Sequence, residues 1–229
     1  GYERNKQEYK DEIVVEAAIA DILKAKSNVS FLFASSQNID RIVSAYRACL
    51  KTNTLFVIDL YTAFILYKLA DVSKHIPQFD WRNIRVKYFK YHADKLAESG
   101  HKDLLYKFNK RKIELPEINS NKNRTLMLLR DNSLFPVVIK HIKGIKGATV
   151  IYSMWEGYLT DKFMDYCSQN GINIKQIHTS GHATAEDLKR FANALKPKTL
   201  IPIHTFEGQK YPALFKNVKI LKDNEEFCF

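Results

Sequence analysis

The chain of 229 residues is long enough for one large domain or two small ones, and its apolar content of 45% is ordinary for a globular protein. No stretch approaches the roughly 18 uninterrupted apolar residues of a membrane span, so no membrane association is expected. The formal net charge of +11 suits a polyanionic partner, although it does not define the fold.

The cysteine pattern is that of a protein with reduced thiols. Cys49, Cys167 and Cys228 are far apart in the sequence and show no C-x-x-C spacing. No secretory signal pattern opens the sequence. We therefore expect a cytoplasmic protein.

Short apolar segments alternate with amphipathic ones along most of the chain. The predicted helices are 7–26, 39–51, 62–72, 95–110, 133–143, 158–169 and 185–195. The predicted strands are 29–34, 54–60, 84–89, 124–129, 148–152, 172–178 and 199–203, and 111–122 is predicted to be a loop. This alternation predicts an α/β fold, doubly wound, with a mainly parallel sheet covered on both faces.

The N-terminal and C-terminal parts of the chain differ in whether each has enough secondary structure to form a core of its own. Residues 1–170 have the pattern of a self-sufficient doubly wound α/β domain. Residues 171–229 supply only two or three strands and one good helix, too little to bury a core alone. We expect this segment to pack on the first domain, on a partner, or on a segment outside this sequence.

Two C-terminal stretches each place a histidine after a predicted strand. The stretch S-G-H-A-T at residues 180–184 follows the strand 172–178 and carries His182. The strand 199–203 leads in the same way to His204. Since ligands collect at strand ends in α/β folds, both imidazoles are expected on one rim.

These stretches resemble a known family. S-G-H-A-T-x-E-D-L from residue 180 and K-P-K-x-x-I-P-I-H-T from residue 196 resemble the last two motifs of the β-CASP branch of metallo-β-lactamase-fold nucleases, RNase J among them. In that family an inserted α/β domain interrupts the metallo-β-lactamase domain. The resemblance implies that 1–170 are the β-CASP-like insert. It also implies that 171–229 are an RNA-specificity segment completing the metallo-β-lactamase αββα sandwich, whose N-terminal half is absent here.

The resemblance implies roles for the residues of the two motifs. His182 matches the histidine that holds or protonates the scissile phosphate, with Ser180 and Gly181 as phosphate contacts in the same turn. An imidazole at a helix start can also donate to an anion and titrates near neutrality. His204 resembles the final metal-ligand histidine. The structural alternatives are an exposed helix-cap histidine for His182 and a core histidine for His204.

A third candidate stretch resembles the first β-CASP motif of the family. Asp40 lies where the following helix begins and is predicted to orient His182 or a phosphate-bound water. Ser35, Ser36 and Gln37, between the strand and this helix, are predicted phosphate or RNA contacts. An acid is also what any helix start favours, so Asp40 has a plain structural alternative.

Aromatic and basic residues suggest further contacts with nucleic acid. Trp155 follows the strand 148–152 and is predicted to stack a base, with loop packing as the alternative. The tracts 81–91 and 107–112 mix basic and aromatic residues as RNA-binding surfaces do, with an ordinary strand as the alternative for the first and a solvated helix end for the second. Four histidines have no ligand-like spacing and are predicted to lie on the surface, namely His75, His92, His101 and His141.

One part of the family pattern is missing. Catalysis there needs an H-x-H-x-D-H motif that holds two zinc ions, and no H-x-H occurs in this sequence. His182 and His204 alone do not make a catalytic zinc site. We therefore expect zinc in the full-length parent, no stable binding by this chain alone, and an inactive fragment.

The leading hypothesis is the C-terminal portion of a zinc-dependent hydrolase that cleaves RNA phosphodiesters. Its expected partners are RNA or other single-stranded nucleic acid and the absent N-terminal half, and a homodimer stays open. One alternative is a non-catalytic nucleic-acid-binding module. Another is a hydrolase of a different substrate, because this scaffold hosts many reactions.

Overall fold

A computed structural model describes residues 11–130, 134–179, 183 and 185–228. The chain divides into two compact units, of which the larger is Asp11–Thr179 and the smaller contains the residues from Ser180 onward. In the part of the chain so described, no helix has the length and apolar character needed to cross a bilayer.

The larger unit is built on one parallel sheet of seven strands, in the order β4-β3-β2-β5-β1-β6-β7. The strands are β1 Ser30–Phe33, β2 Leu55–Asp59, β3 Ile84–Lys87, β4 Lys112–Ile113, β5 Thr125–Leu129, β6 Thr149–Tyr152 and β7 Asn173–Gln176. The helices of this unit are α1 Glu12–Ala25, α2 Ile39–Lys51, α3 Leu60–Lys68, α4 Lys90–Glu98, α5 Lys102–Asn109, α6 Leu115–Ser120, α7 Leu134–Lys140 and α8 Asp161–Gln169. The predicted doubly wound α/β fold is confirmed.

The central strands are apolar on both faces. Every residue of β1 and of β5 is buried, as expected for parallel strands covered by helices on either side. On one face Phe135 of α7 meets the rings of Phe31 and Phe33 edge-on, at centroid distances of 5.2 and 5.0 Å. Phe163 of α8 packs 5.1 Å from Phe33, so β1 is the centre of this aromatic core.

Strand β5 lies between β1 and β2, although it follows them by many residues in sequence. The chain leaves β1 toward β2 on one side and later leaves β5 toward β6 on the other. The direction in which the chain crosses the sheet therefore reverses between β1 and β5, and β2 lies next to this point. In open α/β sheets, ligands bind outside the carboxyl ends of the strands at such a switch point.

The region between β3 and β5 differs from the prediction. The single helix expected over 95–110 is two helices, α4 and α5, because Gly100 adopts a left-handed conformation with φ of 81° and ends α4. The loop expected over 111–122 is wrong, since it contains β4 and α6. Burial of Ile113 and Ile118 holds both elements on the sheet, and a proline in the first turn suits the start of α6.

The smaller unit has little regular structure. It contains helix α9 Ala185–Leu195 and a 3-10 turn at Gly208–Ala213, and none of its described residues is buried. The strand predicted at 199–203 is wrong: only Leu200 forms a parallel bridge, with Val218. A strand requires a hydrogen-bonded partner along its length, and Pro202 has no N–H to donate.

Candidate functional site

A cavity of about 580 Å³ opens at the switch point of the larger unit. Polar side chains on its wall come from the ends of three strands, with Ser36 after β1, Asp59 at the end of β2 and Arg130 after β5. Its apolar wall consists of Ala34, Leu60, Phe64, Leu96, Leu128, Leu129 and Leu134. A concave, mainly apolar site with a few convergent polar groups is the usual form of a ligand-binding pocket.

Asp59 is held at this cavity by the helix that it starts. One carboxylate oxygen accepts a hydrogen bond of 2.7 Å from the backbone N–H of Thr62 and so caps α3. The other oxygen lies 3.4 Å from Nδ1 of His92. That nitrogen is buried and has no hydrogen-bond partner among the described residues. A carboxylate and an imidazole therefore face each other where a ligand could be bound.

The surface position predicted for His92 is wrong. Its side chain is only 19% exposed, because the rings of Phe89 and Tyr61 pack near it at 5.9 and 6.4 Å. Its spacing in the sequence gave no signal, since its partner Asp59 is more than thirty residues away on another element. The only available signal was Asp59 itself, an acid at the end of a buried strand.

Of the three residues predicted as phosphate contacts after β1, Ser36 lines this cavity, and Ser35 and Gln37 each share a hydrogen bond with a residue that lines it. Ser36 is buried, and its hydroxyl accepts a hydrogen bond of 2.8 Å from Thr62. The hydroxyl of Ser35 accepts 3.2 Å bonds from the backbone of Gln37 and from the guanidinium of Arg130. Ser35 with Arg130 is thus the more available anion contact.

Gln37 is exposed, and its side-chain amide donates a hydrogen bond of 3.1 Å to the hydroxyl of Tyr61. Asp40 is also exposed and lies in the first turn of α2, where a negative charge interacts favourably with the helix dipole. The helix itself is capped by Asn38, whose side chain accepts from the N–H of Arg41 at 3.1 Å. The role of Asp40 stays a prediction.

Arg41 is a buried residue that the sequence prediction missed. Its guanidinium contacts Glu12 of α1 and donates to the carbonyl of Ser153 at 3.1 Å. It also donates to the carbonyl of Thr179 at 3.4 Å. Nδ1 of His178 lies 3.3 Å from the same Ser153 carbonyl. This network fixes the segment that follows β7, just before residue 180.

Trp155 is exposed on the chain that follows β6. Its indole is 60% exposed and meets the ring of Tyr158, itself 66% exposed, edge-on at 5.2 Å. Exposed aromatic faces of this kind can stack nucleobases. Nothing else in the geometry selects base stacking over loop packing, so the RNA-binding role of Trp155 stays a prediction.

The basic run at 107–112 is partly engaged in internal contacts. Nζ of Lys107 lies 4.2 Å from the ring centroid of Tyr67 and donates to its hydroxyl at 2.9 Å. Lys112 and Lys87 both pair with Glu114, and hydrogen bonds from these two lysines lower the pKa of that carboxyl. These contacts favour a structural role for much of the run.

Only some of the C-terminal motif residues are among those that the structure describes. Ser180, Gly181 and His182 lie outside the described residues. His204 is exposed and has a left-handed backbone with φ of 51°. Across residues 11–130, 134–179, 183 and 185–228, no group of three or more His, Cys, Asp or Glu side chains could hold a metal ion. The metal role of His204 stays a prediction.

The fold as a whole is similar to that of a solved protein. This is described as "Crystal Structure of a Protein of Unknown Function from Enterococcus faecalis V583", with a TM-score of 0.64 and 18% sequence identity. The similarity covers 96% of this chain but 46% of that one, so the chain spans less than half of its length. At this identity the comparison shows the fold alone.

The C-terminal part of the chain has a sequence match of its own. Residues 171–211 match the family model RMMBL, described as "Zn-dependent metallo-hydrolase RNA specificity domain". No curated protein matches the chain. The match confirms the broader part of the sequence interpretation, a metallo-hydrolase segment of RNA-specificity type. It covers a minority of the chain and leaves the β-CASP assignment as a prediction.

Proposed function

We propose that this chain is the C-terminal portion of a zinc-dependent β-CASP nuclease, similar to RNase J, that hydrolyses RNA phosphodiesters. The match of residues 171–211 to an RNA specificity domain is the observation that carries the proposal. The net charge of +11 agrees with a polyanionic substrate. The α/β unit then corresponds to the inserted domain, and the cytoplasm is the proposed location.

An N-terminal metallo-β-lactamase half is the proposed partner of the smaller unit. None of the described residues of that unit is buried, and several large apolar side chains are exposed. The most exposed are Phe191, Leu195, Ile203 and Phe206, at 63%, 61%, 73% and 108%. Exposed apolar patches mark interaction sites. Because these four residues lie between, within or directly after the two C-terminal motifs, we assign them to an interface with the absent half rather than to a homodimer.

The proposed roles of the motif residues follow the family resemblance. His182 holds or protonates the scissile phosphate, with Ser180 and Gly181 beside it. His204 contributes one zinc ligand, and the N-terminal half supplies the others. Asp40 orients this site.

The cavity at the switch point is the proposed seat for a nucleotide of the RNA. Arg130 and Ser35 at its rim are suited to bind a phosphate, since an arginine–phosphate contact is charge-assisted. Asp59 and His92 can bond to the polar edge of a base or to a ribose hydroxyl. The ring of Phe64 offers an apolar face for the base, as exposed Trp155 does for a neighbouring one.

Zinc content and RNA cleavage of the full-length parent test the main proposal. We expect bound zinc, RNA hydrolysis by the parent and none by this chain alone. His182→Ala in the parent should lower kcat by about 10²- to 10⁴-fold with zinc retained, the usual contribution of a positioned acid. His204→Ala should lower the zinc content as well.

Two other results would select the alternatives. A zinc-free parent that binds RNA without cleaving it would identify a non-catalytic binding module. A parent that cleaves a small phosphodiester without competition from longer RNA would identify a hydrolase of another substrate.

The nucleotide seat has a separate test. Arg130→Ala should raise KM for RNA, whereas Arg124→Ala should leave it unchanged. Arg124 is an exposed arginine that directly precedes β5, at the opposite end of the strand that Arg130 follows, and its replacement changes the charge equally. Equal KM values for the two variants would remove the cavity from the proposal.

A further inference from the structure

A second cavity lies entirely within the smaller unit. It has a volume of about 680 Å³ and forms a groove between helix α9 and the segment 214–217. The helix contributes Lys189, Ala192 and Asn193, whose spacing places them on one face, and Lys196 lines the groove directly after the last residue of the helix. We call this cavity the α9 groove.

The opposite wall is fixed by backbone hydrogen bonds. The N–H of Leu200 donates to the carbonyl of Asn217 at 2.9 Å, and the N–H of Lys219 donates to the carbonyl of Leu200 at 2.9 Å. Phe215 stacks on Tyr211 with 5.4 Å between ring centroids. These contacts hold Phe215, Lys216 and Asn217 against the groove, whose apolar part also includes Pro197, Leu200 and Leu214.

The charge of the α9 groove is positive. Lys189, Lys196 and Lys216 line it, and none of its described lining residues is acidic. None of the three lysines forms an ion pair with a described residue, whereas Lys210 pairs with Glu207 at 2.6 Å. The helix dipole accounts for a lysine at the C-terminal end of α9, where Lys196 lies. It does not account for Lys189 two turns earlier, nor for Lys216 on the other wall.

An anionic ligand with a flat apolar face fits this combination of groups. Single-stranded RNA has this chemistry, because its phosphates can pair with lysines while a base packs on an aromatic ring. The match to an RNA specificity domain spans the helical wall of the groove and ends before segment 214–217. We infer that the α9 groove is an RNA-binding site of this chain, and this inference rests on the proposed function.

Salt dependence of RNA binding by the full chain tests the inference. The variant Lys189→Ala/Lys216→Ala removes one charge from each wall. The control Lys198→Ala/Lys222→Ala removes two exposed charges of the same unit that do not line the groove. The affinity for a fluorescent oligouridylate is measured by anisotropy at several NaCl concentrations, after circular dichroism has shown that both variants keep the wild-type fold.

We expect the slope of log K against log[NaCl] to become shallower by about 1.4 in the groove variant and to stay unchanged in the control, since each phosphate contact on a single strand contributes about 0.7. Phe215→Ala should weaken binding on the order of tenfold through lost stacking. Equal slopes for the two double variants, with wild-type RNA binding intact, would overturn the α9 groove alone.

A different result would overturn the proposed function itself. A full-length parent that neither binds nor cleaves RNA would overturn both statements together. A polyglutamate peptide that binds with the same dependence on Lys189 and Lys216, while the oligouridylate does not, would reassign the groove to an acidic protein segment.

Discussion

The guanidinium of Arg41 donates a hydrogen bond of 2.8 Å to the carboxylate of Glu12, and the arginine side chain is fully buried. This pair joins α2 to α1, while further bonds from the same guanidinium reach the loop after β6 and the segment after β7. A buried charge is tolerated only when it is paired and hydrogen-bonded. Removing Glu12 therefore affects more than one contact.

Glu12→Ala should lower the free energy of unfolding by about 3 kcal/mol, because it leaves the guanidinium of Arg41 buried without its counter-charge. Asp21→Ala on the same helix is the control. Its pair with Lys24 is exposed, and its loss should cost less than about 0.5 kcal/mol. Urea denaturation of the chain measures both. Similar costs for the two substitutions would show that the Glu12–Arg41 pair contributes little.

Lys26 should make the stability of the larger unit depend on pH. Burial lowers the pKa of its ammonium to about 8. Since the unfolded chain keeps this proton up to about pH 10.5, the folded state gains stability as pH rises from 8 to 10.5.

The variant Lys26→Met isolates this effect from all other titrations. Its unfolding free energy relative to the wild type should be constant below pH 8 and should fall by about 3 kcal/mol as the pH approaches 10.5. The hydrogen bond from Lys26 to the carbonyl of Thr125 changes the offset but not this trend. A difference that is independent of pH would mean that Lys26 titrates normally.

The three cysteines should react at very different rates. Cys49 and Cys167 are buried, while Cys228 is exposed. Burial raises the pKa of the Cys49 thiol to about 12, so at pH 8 about one molecule in ten thousand carries the reactive thiolate there. Iodoacetamide should therefore label Cys228 alone in the folded chain, as read by peptide mass spectrometry. Rapid labelling of Cys49 would contradict its burial.

Two substitutions of Asp59 should distinguish its role as a helix cap from the effect of its charge. Asp59→Asn keeps an oxygen that can accept from the N–H of Thr62, so its unfolding free energy should stay within about 0.5 kcal/mol of the wild type. Asp59→Ala removes the cap and should cost about 1 kcal/mol. Thermal denaturation compares the two variants. Equal destabilisation by both would assign the effect to the lost charge beside His92 instead of the cap.

The sequence predicted α2 at its observed bounds because its signals are local. Apolar residues recur at helical spacing, and the run of small and polar residues before it ends the strand. Helix α3 was predicted to begin at residue 62, two residues late. Asp59 is both the last residue of β2 and the N-cap of α3. Leu60 is therefore helical, although in the sequence it reads as part of the apolar strand.

The candidate site could be predicted only where its residues are neighbours in sequence. Ser35, Ser36 and Gln37 were selected because residues after a buried strand gather at the carboxyl edge of a sheet. Arg130 and His92 were missed, because their place at the cavity depends on β5 lying between β1 and β2 and on α4 packing near Asp59. That strand order is set by long-range packing, which no local pattern encodes.

The pairing of β7 with β6 decides where the polypeptide can be divided for separate production. Four residues of β7 align with Thr149–Tyr152, and the buried side chains of Ile172 and Ile177 flank them. An expression boundary at residue 170, just before the family match that begins at residue 171, would remove β7 and leave β6 as an unpaired edge strand prone to aggregation. A product that extends through Thr179 keeps β7 paired with β6. We expect this longer product to be soluble and monodisperse.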